Sequence, residues 1–195
     1  MSNKAGRTGV TASTPENILF GAGTIHKNVK YTTETGWNFE STIIGATQGG
    51  SKLSVVPEFR DIEADGAWVL VKGLKVKVGE SGSMEVNFLE INKDIMKHAI
   101  IGEDGTSEDN GYTMIQTKAD LEDGDYYDNV AFVGKTVDNR NIIVIMENVL
   151  VTSGFESEGK NKEEGVGKYT FTCHADINGD LQKLPIKIYY PVASA

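Results

Sequence analysis

The segment "LKVKVGESGSMEVNF", residues 74–88, decides how the chain is read. Leu74, Val76 and Val78 alternate with Lys75 and Lys77, and Met84, Val86 and Phe88 alternate with Glu85 and Asn87. A period of two marks half-buried strands. "GESGS" between them has the composition of a turn, so the segment reads as a β-hairpin whose lysines face glutamate across the pair.

The residues that follow, "EINKDIMKHAIIG", change period. Asn92 is placed as an N-cap, Asp94 in the first turn and Gly102 as the residue that closes the C-terminus. Ile91, Ile95, Met96, Ala99 and Ile100 share one side of this helix, which is short enough to need packing on a sheet. Further on, "NVAFVGKTV" and "NIIVIMENVLVT" read as two strands around a "DNRN" turn. The second is apolar on both faces from Ile142 to Met146, which predicts a central position. "YTFTCHADI" places Tyr169, Phe171, Cys173, Ala175 and Ile177 on one face. With "NGD" as its turn, it pairs with "LPIKIYY" in a C-terminal hairpin, Pro185 marking an edge or a bulge. "GFESEGKNKEEGVG", residues 154–167, reads as a mobile tip.

On the N-terminal side, "IIGATQGGSKLSVVPEFRDIEADG", residues 43–66, dissolves into Gly, Thr, Gln and Ser before recovering as a strand. It reads as a soft excursion of a kind that becomes ordered against a partner. The expected fold class is therefore mainly β: an antiparallel β-sandwich or split barrel of seven to nine strands with one short flanking α-helix. The expected organisation is a polar arm over residues 1–15 and a single domain over 16–195, with a long loop over 33–57. The arm has no apolar core of the kind a secretory signal carries.

The chain has 195 residues and a formal net charge of −9. Nine acids stand between Glu103 and Asp128 against Lys118 alone. Tight nucleic-acid binding needs clustered Lys and Arg, so it is excluded as a function class. One cysteine, Cys173, permits no intramolecular disulfide. "GVGKYT" is not a phosphate loop, because Lys162 stands where the motif needs glycine and Tyr169 where it needs the Mg²⁺-binding Ser or Thr. "DINGDLQ" and "DLEDGD" place Lys187 and Ala131 where a calcium loop needs glutamate. His26, His98 and His174 are too far apart in sequence for metal-ligand spacing. Cys173 and His174, adjacent on a strand, point to opposite faces and form no nucleophile–base pair. No catalytic, cofactor or metal site is expected. Trp37 and Phe39 are either core anchors or interface anchors.

The ordered set Gly45-Ala46-Thr47-Gln48-Gly49-Gly50, Pro57-Glu58, Glu63-Ala64-Asp65-Gly66, Lys72-Gly73 and Glu90-Ile91, followed by a short helix, resembles the major tail tube proteins of long-tailed bacteriophages of Gram-positive hosts. The resemblance covers residues 15–102. It implies a structural virion protein, assembled in the host cytoplasm, whose hexameric rings stack into the tube that conducts the genome. It implies as partners other copies of the chain, the tape measure, the tail terminator and the distal tail protein, with DNA passing through unbound. On this reading the contacts between rings fall on Trp37, Phe39, Ile43, Ile44, Gly45, Gln48, Gly49, Gly50, Leu53, Val55 and Val56. The candidate acids facing the channel are Glu85, Glu90, Asp120, Glu122 and Asp123. The alternative is a surface β-sandwich that binds carbohydrate or a host surface without catalysis, using Trp37, Tyr112, Tyr126 and Tyr127 as stacking platforms.

Overall fold

The computed structural model describes residues 9–157, 161–162 and 164–192. A four-residue helix, α1 (Thr14–Asn17), precedes β1 (Leu19–Lys27), and two short strands, β2 (Tyr31–Thr32) and β3 (Gly36–Trp37), form a small ribbon. Two long strands follow, β4 (Thr47–Asp61) and β5 (Lys75–Phe88), then α2 (Lys93–Ala99) and a second ribbon of β6 (Gly102–Gly105) with β7 (Met114–Thr117). The chain ends with β8 (Tyr127–Thr136), β9 (Asn141–Val151), β10 (Gly167–Cys173) and β11 (Ile186–Tyr189). Seven of the strands form one antiparallel sheet in the order β1-β8-β9-β10-β5-β4, with β11 also on β9. The sheet curls until Ile44 N–H donates to the Ile25 carbonyl at 2.9 Å, but it does not close into a barrel. The mainly β class with one short flanking helix is as expected.

Four expectations change. Residues 74–88 are not a hairpin. β5 continues through "GESGS", paired with β4 from Thr47↔Phe88 to Asp61↔Lys75, with a register shift at Val78. Neither Gly79 nor Gly82 has the positive φ that a tight hairpin turn demands. Gly82 is small for a packing reason: a Cβ there would lie 2.6 Å from Ile186 Cδ1 and 2.7 Å from Leu184 Cδ2. Second, most of the 43–66 excursion is strand β4. Gly49 and Gly50, at φ +82° and +83°, occupy an irregularity between Thr47 and Ser51 rather than a free loop. Third, β10 and β11 do not pair with each other. They lie end to end along one edge of β9, through Phe171↔Val151 and Ile186↔Met146. The strand containing Cys173 stops there, so Ala175 and Ile177 lie in an exposed loop. Fourth, α2 is closed by Ile101 at φ +51°, while Gly102 opens β6.

The helix start and the central strands are as read. Asn92 accepts the Ile95 N–H at 3.0 Å and donates to the Ile44 carbonyl at 2.7 Å, capping α2 and tying it to the chain entering β4. β9 has β8 on one side and β10 and β11 on the other, which explains its two apolar faces. On one face the main core gathers Met84, Phe88, Met146, Tyr169 and Phe171 under Ile95 of α2. On the other, Ala131, Val133, Ile143 and Ile145 form a smaller core with Val29, covered by Trp37 and Phe39. Part of the proposed N-terminal arm (1–8) and part of the 154–167 tip (158–160 and 163) lie outside the described residues.

Candidate interaction surface

β5 has a buried half and an exposed half. β10 pairs with residues 83–88 and ends. Beyond that point residues 75–81 keep β4 as their only paired strand among the described residues, and the described strands leave the outer edge of β4 unpaired. Residues 55–61 and 75–81 thus form a two-stranded ribbon with two open edges. It spans roughly 20 Å at about 3.3 Å per residue. Residues 62–74 cap it, held by Ile62 N–H to the Leu74 carbonyl at 2.7 Å and a turn at Ala64–Ala67 of 3.1 Å.

The ribbon and its tip are apolar and exposed. Val55, Val56, Phe59, Ile62, Val69, Leu70, Val71, Val76 and Val78 are all open to solvent, and Trp68 is 96% exposed. A two-stranded ribbon in water is marginal by itself. Exposed apolar patches beyond a few hundred Å² mark contact sites. Salt bridges between Lys75 and Asp61 (2.7 Å) and Lys77 and Glu80 (2.7 Å) brace the ribbon without covering its apolar residues.

The sequence-derived contact residues divide. Ile43, Gln48, Gly49, Val55 and Val56 are exposed, and Leu53 and Gly50 are half-buried. Ile44 and Gly45 are buried within the chain itself, Ile44 in the main core and Gly45 against Glu90, whose Cβ would sit 3.3 Å from an added Cβ. Trp37 and Phe39 are core anchors: they stack at 6.0 Å over the second core, with Tyr189 edge-on to Trp37 at 4.8 Å. Sequence reasoning missed Phe59, Ile62, Val76, Val78 and the run Trp68-Val69-Leu70-Val71. The signal available was that uninterrupted apolar run inside an otherwise turn-like stretch.

The acids proposed to face a channel do not form one group. Glu85 pairs with Lys52 at 3.0 Å on β5. Asp120, Glu122 and Asp123 lie between β7 and β8, where Lys118 bridges Glu122 at 2.7 Å and buried Asp125 at 2.9 Å. Among the described residues no salt bridge or hydrogen bond joins the two sets. The stacking platforms proposed for sugars are likewise dispersed: Trp37 is half-buried against the second core, Tyr127 is buried, Tyr126 stands edge-on to His174 at 5.5 Å, and Tyr112 is exposed.

A polar cluster docks α2. Asp94 accepts from Lys27 Nζ at 2.6 Å and from the Tyr127 hydroxyl at 2.9 Å, and His98 stacks on the Tyr127 ring at 4.0 Å. Burial alone would raise the Asp94 carboxyl; the hydrogen bonds from Lys27 and Tyr127 outweigh it and hold it below the ordinary carboxylate range. Burial and the Asp94 charge push the Tyr127 hydroxyl well above its ordinary value. Cys173 is a buried thiol raised to about 11, which makes it a poor nucleophile. A cleft between residues 123–128 and 174–178 is lined by Asp123, Asp128, His174 and Asp176. Among the described residues, no three potential ligands are spaced to hold a metal ion.

No protein-family model and no curated protein matches the sequence. Among solved structures, the chain is similar to a chain of the tail of an empty gene transfer agent particle with C6 symmetry, at 13% identity and a TM-score of 0.44, covering 88% of this chain and 96% of that one. It is also similar to a chain of the virion of a native gene transfer agent particle, at 14% identity and a TM-score of 0.41, covering 80% and 92%.

Proposed function

We propose that this chain is a structural subunit of a phage-like tail. Copies of it assemble into rings, hexameric by the resemblance noted above, and the rings stack into the tube through which the genome leaves. The observation that carries this reading is the ribbon: two open strand edges and ten exposed apolar side chains that the described residues leave uncovered. Open edges are templates for strand pairing, and a protein that keeps a long one has a partner for it. Covering on the order of 1,000 Å² of apolar surface supplies roughly 25 kcal/mol gross, most of it offset by the loss of freedom on association. The excess of acid over base disfavours DNA adhesion within about 8–10 Å of the wall. The tape measure, the terminator and the distal tail protein are the further partners on this reading.

Negative-stain microscopy of concentrated protein, alone and with a tail-tip initiator, tests it. Rings or tubes are expected. Monomers under every condition would overturn the proposal.

A further inference from the structure

A second exposed apolar patch lies on the opposite edge of the sheet. Leu19 and Phe20 pair with Thr136 and Lys135, and Val137 N–H donates to the Ile18 carbonyl at 3.1 Å. The C-terminal segment joins them: Arg140 Nη1 donates to the Val192 carbonyl at 2.9 Å, and the Tyr190 hydroxyl meets Asn17 Oδ1 at 2.6 Å. Phe20 is 71% exposed, and Leu19, Val137, Tyr190 and Val192 are also open to solvent. None of this surface is used by the cores described above.

The registers place this patch and the ribbon at the same end of the sheet. β5 read from 88 to 75 and β9 read from 151 to 141 run in the same direction, because both are antiparallel to β10. The ribbon therefore points toward the Asn141 end of β9. Leu19 and Phe20 lie at that same end, through Phe20↔Lys135 and Lys135↔Asn141. β1 and β4 are the two terminal strands of the sheet order. One copy thus carries two different apolar surfaces at one height on opposite edges.

We infer that the ribbon of one copy docks on the Leu19–Phe20–Val137 patch of a second copy, in a head-to-tail contact. This rests on the reading that the chain assembles with itself, and it specifies which surfaces meet. The exposed ribbon residues lie on both of its faces, as adjacent Val55 and Val56 show, so one face with the tip presents several hundred Å², as the patch does, on the scale of one side of an interface of about 800 Å² per partner. Charge does not oppose the contact. The whole chain carries −9, but residues 55–78 hold four acids (Glu58, Asp61, Glu63, Asp65) against four bases (Arg60, Lys72, Lys75, Lys77). A contact between unlike surfaces leaves a free ribbon at one end and a free patch at the other, so it propagates until rotation closes a ring.

The test uses Trp68→Glu and Phe20→Asp in the full chain, at a concentration where the wild type associates, with sedimentation velocity as readout. Both side chains are exposed, so each variant should keep the wild-type unfolding midpoint. Each variant alone should be monomeric. Mixed in equal amounts they should form a dimer and nothing larger, because only the ribbon of the Phe20→Asp chain and the patch of the Trp68→Glu chain remain intact. Assembly of Phe20→Asp like the wild type would overturn the patch assignment while leaving self-assembly standing, and a monomeric mixture would overturn the pairing. A wild type that never associates would overturn both this inference and the proposed function.

Discussion

The two halves of β5 carry the same alternation in sequence and meet opposite fates. Met84, Val86 and Phe88 are sealed in the main core, whereas Val76 and Val78 stand in solvent. The first difference is in the strand: Glu58 pairs with Gly79 but Phe59 with Lys77, so Val78 is an extra residue and Val76 falls on the opposite face of the sheet from Met84. The second is in the surroundings: β10 makes its last pair with β5 at Thr172↔Ser83, and the described residues leave Val76 and Val78 exposed beyond it. Alternation therefore reports that a strand has one face to bury, and not whether its own chain supplies the cover. The region around α2 is completed internally by caps and ion pairs. The ribbon, by contrast, is built to the same rules and left unfinished.

This contrast can be broken by substitution. Phe88 is 0% exposed and packs against Tyr169 at 5.8 Å and Phe171 at 6.3 Å. Phe88→Ala should cost about 3–5 kcal/mol in urea unfolding of the monomer. Val78→Ala, on the same strand, should stay within about 0.5 kcal/mol. Comparable losses at the two positions would mean that the ribbon is packed in the monomer. At the junction, Gly82→Val should cost about 1–3 kcal/mol, because the new side chain meets Ile186, Leu184 and the Cys173 sulfur, 3.0 Å from an added Cβ. A neutral result would show that β11 gives way there. Asn92→Ala should cost about 1 kcal/mol through the lost cap, and helical circular dichroism should weaken with it; an unchanged midpoint would remove the cap from the account.

The smallest expected effect is a pH dependence in the completed region. His26 is buried between Thr24 Oγ1 (2.7 Å) and Thr42 Oγ1 (2.9 Å), beside Phe39 at 5.2 Å. The Thr42 hydroxyl donates to the carbonyls of Asn38 and Phe39 at 3.1 Å. It therefore accepts from His26 Nδ1–H, leaving Nε2 to accept from Thr24. Burial lowers the ring below its ordinary 6.5 despite the opposing pull of the Phe39 carbonyl. A depressed base is neutral in the fold, so its contribution is complete above 6.5. It is lost as pH falls, because the unfolded chain takes the proton first. Unfolding midpoints should fall between pH 7 and pH 5, and His26→Gln should flatten that slope. An equal slope in the variant would place the titration elsewhere.

What could be read in advance was whatever depends on neighbours in sequence. The Asn92 cap, the β8–β9 turn and the two-sided apolarity of β9 are local statements, and local chemistry settles them. "GESGS" defeated the reading because small residues serve two purposes. They relax a turn, or they let another strand's side chains approach, and only the positions of Leu184 and Ile186 distinguish the two. The C-terminal pairing failed for the same reason: β10 and β11 both suit an edge, and β9 had room for both along one side. Of the candidate contact residues, Gln48, Gly49, Val55 and Val56 on β4 reach the surface, while Gly50 and Leu53 are half-buried. Trp37, Phe39 and Ile44 were drawn inward by apolar faces whose location no local pattern records.

Hydrogen exchange, read residue by residue at low and high protein concentration, separates the completed half of β5 from the unfinished one. Amides of 84–88 should be protected at both concentrations. Amides of 55–61 and 75–81 should exchange rapidly in the dilute monomer and slow by at least tenfold as the chain associates. Equal protection of both halves of β5 in the dilute monomer, unchanged on concentration, would contradict the account.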